Sequence, residues 1–142
     1  PFAVCIAKKN PNTQVTCIEI NPKAHNYCLE NINLNKIQDQ VTPILGDVRE
    51  ICPELDQKFD RVLMPLPKGA HEFLDVAIPA VKHGGVLHFY HWAPEENLWS
   101  EAEKLVKDEA NKLDRYVEFI DHQQVSLYSP RVYKVRVDAL LY

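Results

Sequence analysis

Glycine is scarce in this chain: there are four in 142 residues, and the first is Gly46. No Gly-x-Gly turn occurs, so the glycine-rich loop that normally opens a doubly wound nucleotide-binding domain is not written in this stretch. The four cysteines, Cys5, Cys17, Cys28 and Cys52, form no Cys-x-x-Cys pair, which removes the usual signals for a zinc site or a redox dithiol. No run of about 18 apolar residues is present, so no membrane span is expected. Pro1 to Lys9 has neither a basic opening nor a long apolar centre, and does not read as a signal peptide. Excess positive charge is missing too. With a net charge of -4 the chain is a poor candidate for gripping a nucleic-acid backbone by itself, since phosphate neutralisation needs clustered Lys and Arg.

What remains is the mix of a soluble globular protein, 46% apolar and 25% charged, long enough to bury a core without disulfides. Residues 1–142 read as one domain. Cys5, Cys17 and Cys28 lie among apolar residues and read as small buried thiols, with a reducing, cytoplasmic setting as the default.

Apolar strands alternate with helical stretches, the pattern of an α/β domain with a mostly parallel sheet. The run VTCIEI predicts a buried strand over 15–20. Asn21-Pro22 then supplies a helix cap and first turn, for a helix reaching about residue 35. VTPIL predicts a strand over 41–45, with Pro43 pointing to a local break or an outer position. A short helical stretch covers 49–55, and DRVLM a strand over 60–64. A helix is expected over 70–81, kinked or ended by Pro79 and closed by Gly84-Gly85, then a strand over 86–90. A charged amphipathic helix is predicted over 95–113. Two strands, 117–128 and 132–141, flank Ser129-Pro130 and imply an antiparallel pair. The second alternates apolar and polar residues, so one face is expected to be solvated. Pro1 to Lys9 reads as a helix with no strand before it, an unusual opening for a doubly wound fold.

Ligands of open α/β sheets bind beyond the carboxyl ends of the strands, so the residues there are the site candidates. Glu19, with Ile20 and Asn21 after it, can accept hydrogen bonds from the two hydroxyls of a ribose; a solvent-facing Glu near a helix terminus is the plainer alternative. Gly46-Asp47-Val48 offers a close backbone approach, a carboxylate for the exocyclic amine of adenine and an apolar side chain for the ring; Asp47 can equally cap a helix. Pro65, Leu66 and Pro67 form a stiff loop whose carbonyls can hold an attacking atom in line with a methyl group. No metal site is expected: His88 and His91 are three apart on a strand and point to opposite faces. Lys8, Lys9, Lys68, Arg131, Lys134 and Arg136 are candidate phosphate contacts, although isolated surface cations are commonly just solvated.

Three stretches, VTCIEINPKAHNYCLENINLNK, VTPILGDVRE and DRVLMPLPKGAHEFLDVAIPAVKHGGVLHFYH, together with the closing SPRVYKVRVDALL, resemble the archaeal and eukaryotic tRNA guanine-N1 methyltransferases. Those enzymes modify the guanosine 3′ of the anticodon. The resemblance implies an α/β, Rossmann-like methyltransferase sheet, mostly parallel with a C-terminal antiparallel hairpin. It implies S-adenosylmethionine as cofactor and tRNA as partner. It places Phe2 at the tail of the first motif, Glu19 and Ile20 at the ribose, Asp47 and Val48 at the adenine, and Pro65, Leu66 and Pro67 on the motif usually written Asn-Leu-Pro. Pro65 stands where that Asn is usual, and a proline has no amide to donate. The family's glycines, its proposed Glu base and supporting Arg, and its tRNA-binding domains would all lie upstream of Pro1.

On that resemblance the sheet lacks its first strand, which belongs between the strands ending at Glu19 and Met64. The expectation is that the 142-residue chain alone binds cofactor poorly and is inactive, or fills the gap by strand exchange or dimerisation. Three alternatives stay open: an aminocarboxypropyl transferase of wybutosine synthesis on the same fold, a dinucleotide-binding oxidoreductase domain, and a non-catalytic fragment.

Overall fold

The structure, a computed structural model, describes residues 1–66 and 68–142. The chain divides into two compact units, Pro1–Glu54 and Leu55–Tyr142.

The first unit runs α1 (Phe2–Lys9), β1 (Val15–Glu19), α2 (Pro22–Asn35), β2 (Val41–Leu45), α3 (Val48–Glu54). The Asn21 side chain accepts hydrogen bonds from the Lys23 and Ala24 amides, and Pro22 occupies the first turn, where its missing N–H costs nothing. The helix stops where Lys36 turns left-handed, at φ 55°. It carries the chain over to β2, which pairs with β1 in parallel from Val15↔Val41 to Glu19↔Leu45. β2 has no second partner strand among the described residues, which is why Pro43 is tolerated within it. Ala7, Ile32, Ile37 and Val41 form the buried centre, with Cys17 and Cys28 packed against it. Cys5 is exposed and does not share that environment, because it lies on the outward side of α1.

The second unit runs β3 (Phe59–Met64), a 3-10 turn (Ala70–Phe73), α4 (Leu74–Ala80), β4 (Val81–Pro94), α5 (Ser100–Lys112), β5 (Val117–Ser129), β6 (Val132–Leu141). Its sheet has the order β3-β4-β6-β5. β3 and β4 are parallel, while β4, β6 and β5 pair antiparallel in turn. Leu74, Ala77 and Ile78 of α4 and Ala102, Val106 and Ala110 of α5 pack against Leu87, Phe89, Val137 and Ala139 on one face of that sheet. Each helix buries one stripe at helical spacing.

Two boundaries differ from the sequence expectation. The helix before β4 ends at Ala80, and Val81 is already extended. Pro79 in its last turn removes a backbone donor and opposes continuation. Gly84 and Gly85 therefore close no helix. They form a bulge in β4, where the register passes from Phe59↔Val81 to Arg61↔Val86. Gly84 takes φ 76°, and a Cβ on Gly85 would meet the Asp60 carbonyl at 3.1 Å, so glycine is required by both turn and contact. Second, α5 begins at Ser100, and residues 95–99 are a turn in which the Asn97 amide bonds to the Pro94 carbonyl.

The mixed sheet and the closing antiparallel pair agree with the expected fold class. β6 is an interior strand, not an edge, so its polar face carries a charged network where simple solvation was expected. β1 and β3, the strands flanking the anticipated gap, belong to separate sheets, and each has a single strand partner among the described residues. No helix among the described residues is long and apolar enough to cross a membrane.

Candidate functional site

Within the first unit, two parallel strand ends are fastened to one another. The Gly46 amide donates to the Glu19 carbonyl at 3.0 Å, continuing the ladder one step past β2. Of the residues singled out from sequence, Glu19 is the last of β1 and Ile20 follows it, while Asp47 and Val48 come just after Gly46 beyond β2.

Each carboxylate is steadied by the backbone that follows it. Oε1 of Glu19 accepts from the Asn21 amide at 2.8 Å. Oδ1 of Asp47 accepts from the Arg49 amide at 2.8 Å, while the Asp47 carbonyl takes the Glu50 and Ile51 amides at the start of α3. The cap and the ligand roles for Asp47 are thus compatible, since a cap occupies one oxygen. Neither second oxygen has a partner among the described residues. Beside these acceptors Ile20 stands 64% exposed, an apolar side chain with no core to fill. Val48 is half-buried at the start of α3. Gly46, at φ 156°, is tightly enclosed: a Cβ there would meet Cγ1 of Ile51 at 2.9 Å.

Phe2 opens α1 and is 43% exposed. Ala7, near the other end of that helix, packs with Val15 and Val41, the first residues of β1 and β2. The helix therefore runs antiparallel to the strands, and Phe2 lies at its end nearer the strand tips.

Pro65 and Leu66 belong to the second unit, directly after β3, and both are exposed. Pro67 lies outside the described residues. The histidines fall on opposite faces, as their spacing requires. His91 stacks on Phe89 toward α5, with Nε2 3.6 Å from Glu101. His88 binds Asp138 through Nδ1 at 2.8 Å and faces Arg61 through Nε2 at 3.1 Å.

That last cluster was not foreseen. Asp138 is buried and forms an ion pair with Arg136, whose Nε lies 2.8 Å away, and Nη2 of Arg136 donates to Asp121 at 2.8 Å. Asp138 and His88 are 50 residues apart and meet only through the β4–β6 register. The one sequence signal was the charged alternation of the last strand, which does not name a partner.

Cys17 and Cys28 meet between β1 and α2. Burial, the neighbouring Cys28 charge and a hydrogen bond to Cys28 push the Cys17 thiol up to about 11, so it stays protonated and unreactive.

Comparison with known proteins adds the lineage. The chain is 41% identical to the tRNA (guanine(37)-N(1))-methyltransferase Trm5b of Pyrococcus abyssi over 97% of its own length and 40% of that relative's. The crystal structure of M. jannaschii TYW2 in complex with AdoMet superposes with a TM-score of 0.85 at 33% identity, covering 99% of this chain and 63% of that one. The complex structure of aTrm5 and tRNALeu superposes with a TM-score of 0.76 at 36% identity, covering 90% of this chain and 35% of that one. The chain thus spans 40%, 63% and 35% of these three relatives, less than two thirds of each. Residues 1–118 match the family described as the TRM5/TYW2 methyltransferase domain, and the chain belongs to that family.

Proposed function

We propose that the protein transfers a methyl group from S-adenosylmethionine to N1 of the guanosine 3′ of the anticodon in tRNA, in the cytoplasm, with residues 1–142 serving as one methyltransferase domain. The observation that carries this reading is the pair of joined strand ends. Glu19 and Asp47 each keep one carboxylate oxygen for a ligand, and the exposed Ile20 and half-buried Val48 supply apolar surface beside them.

The residues present fit an adenosine. The spare oxygen of Glu19 accepts from ribose hydroxyls, and that of Asp47 from the adenine amine. Ile20, Val48 and Phe2 offer the apolar contacts. The prior bond from Asn21 means Glu19 needs little reordering on binding. S-adenosylmethionine supplies a methyl group on a positively charged sulfur. Pro65 and Leu66, after β3, offer backbone carbonyls to the guanine edge, because Pro65 has no side-chain amide to do so; the third residue of that motif, Pro67, lies outside the described residues. N1 of guanine carries a proton that must leave to a base. Glu19 and Asp47 are committed to the cofactor, so that acceptor is a separate group. The target base reaches the site only after leaving its stack.

The same assignment sets aside the dinucleotide-binding oxidoreductase, because the family is a methyltransferase family. A strand supplied to the open edge of β1 or of β3, by another part of the protein or by a second copy, would satisfy backbone groups there. The remaining choice lies between methyl and aminocarboxypropyl transfer, since the M. jannaschii tRNA(Phe) (4-demethylwyosine(37)-C(7)) aminocarboxypropyltransferase is 34% identical to the chain. The test uses the protein expressed from its complete gene, a tRNA transcript, and cofactor labelled either on the methyl or on the aminocarboxypropyl carbons. Label from the methyl alone, recovered in 1-methylguanosine, is the expected result. Transfer of the other label, or of neither, contradicts the proposal.

A further inference from the structure

The second unit has a sheet face that α4 and α5 leave alone. Along β4, Leu87 and Phe89 point into the helical core, so His88, Tyr90 and Trp92 point the other way. Their partners on β6 are Asp138, Arg136 and Lys134. The face is graded in charge. Toward the amino end of β4, the two carboxylates are already occupied: Asp138 by His88 and Arg136, Asp121 by Arg136. Toward the carboxyl end the character changes. Trp92 and Tyr128 pack with ring centroids 4.0 Å apart and planes 30° from parallel. Tyr128 remains 64% exposed, so the outer face of the pair is open. Beside it, Nζ of Lys134 lies 4.9 Å from the Tyr90 ring centroid, with no carboxylate paired to it among the described residues.

This cluster spans β4, β6 and β5 at the end of the sheet where β3 stops. Met64, the last residue of β3, pairs with Phe89, and Trp92 follows three residues later on the adjacent strand, about 10 Å farther along. The hairpin bearing Tyr128 is tied down. The Glu95 amide donates to the Arg131 carbonyl at 2.9 Å, and the Tyr133 hydroxyl donates to Glu95 at 3.4 Å.

We propose that single-stranded nucleotides adjoining the modified base stack on the Trp92–Tyr128 pair while Lys134 contacts their phosphate. This inference rests on RNA being the substrate. An exposed aromatic face flanked by a cation on an antiparallel sheet suits a base and its phosphate, and stacking is sequence-tolerant because every base has a π-face. A protein partner would call for a continuous apolar patch, and here Lys134 and Arg136 interrupt the face.

The experiment uses the protein from its complete gene and a tRNA anticodon stem-loop. Trp92 and Trp99 are the two tryptophans of these 142 residues, and the difference in emission between the protein and its Trp92→Phe variant isolates the Trp92 signal. That signal should be quenched on RNA binding. Tyr128→Ala should weaken RNA binding about tenfold or more, with S-adenosylhomocysteine affinity unchanged, and Tyr128→Phe should restore it. Lys134→Gln should reduce the salt slope of RNA binding by about one. Wild-type RNA affinity in Tyr128→Ala without Trp92 quenching, in a protein that still modifies tRNA, overturns the inference alone. A change in self-association in place of RNA affinity overturns it equally. A wild-type protein that neither binds nor modifies RNA overturns the functional reading, and this inference with it.

Discussion

The amide of Gly46 donates to the carbonyl of Glu19 across 3.0 Å, and this bond holds the ends of two parallel strands side by side. It fixes the backbones from which Glu19 and Asp47 project. Replacing Gly46 with Ala brings a Cβ to 2.9 Å from Ile51 Cγ1 at a backbone φ of 156°. The expected cost is about 1–2 kcal/mol of stability, read from urea denaturation. Trimming the neighbour by Ile51→Ala in the same chain should relieve the steric part but not the backbone part.

Glu19→Gln preserves an acceptor for the Asn21 amide but puts an NH₂ group in place of the second carboxylate oxygen, the one proposed to meet the ribose. Stability should hardly change, while S-adenosylhomocysteine binding, measured by calorimetry, should weaken about tenfold or more. Unaltered affinity would mean that the ribose is held elsewhere.

Asp138 is a buried carboxylate with two partners, His88 and Arg136. Asp138→Ala leaves the Arg136 guanidinium half-buried with one of its carboxylates gone, and should cost about 3 kcal/mol. Chemical denaturation checks this, and the loss should exceed that of an exposed pair such as Lys82 with Asp60.

Cys17 gives a pH signature. Its thiol is lifted from 9.0 to about 11 in the folded protein, first by burial and then by Cys28. A raised acid pKa means the folded state holds its proton more tightly. The stabilisation is complete below pH 9.0 and is lost as pH rises from there toward about 11. Cys17→Ala should flatten stability across that window. In a thiol-labelling experiment near neutral pH, exposed Cys5 should react well before Cys17.

Local chemistry in the sequence carried much of this. The Asn21-Pro22 start of α2, the edge placement signalled by Pro43, and the carboxylates at the tips of β1 and β2 all depend on neighbours within a few residues. The misread boundaries share one cause. Gly84-Gly85 has the look of a helix end, but its reason is the approach of Asp60 on β3, which is set by tertiary register. The His88–Asp138 bond and the Trp92–Tyr128 pair were equally out of reach. Their members stand far apart in the chain and meet only through strand pairing. Periodicity can say which face a residue takes, but not which residue it will meet there.

The most direct test of the account is a crystal structure of the protein from its complete gene with S-adenosylhomocysteine. The ribose hydroxyls should lie about 3 Å from the Glu19 carboxylate, and the adenine amine about 3 Å from Asp47. A nucleoside bound away from both carboxylates would contradict the central claim.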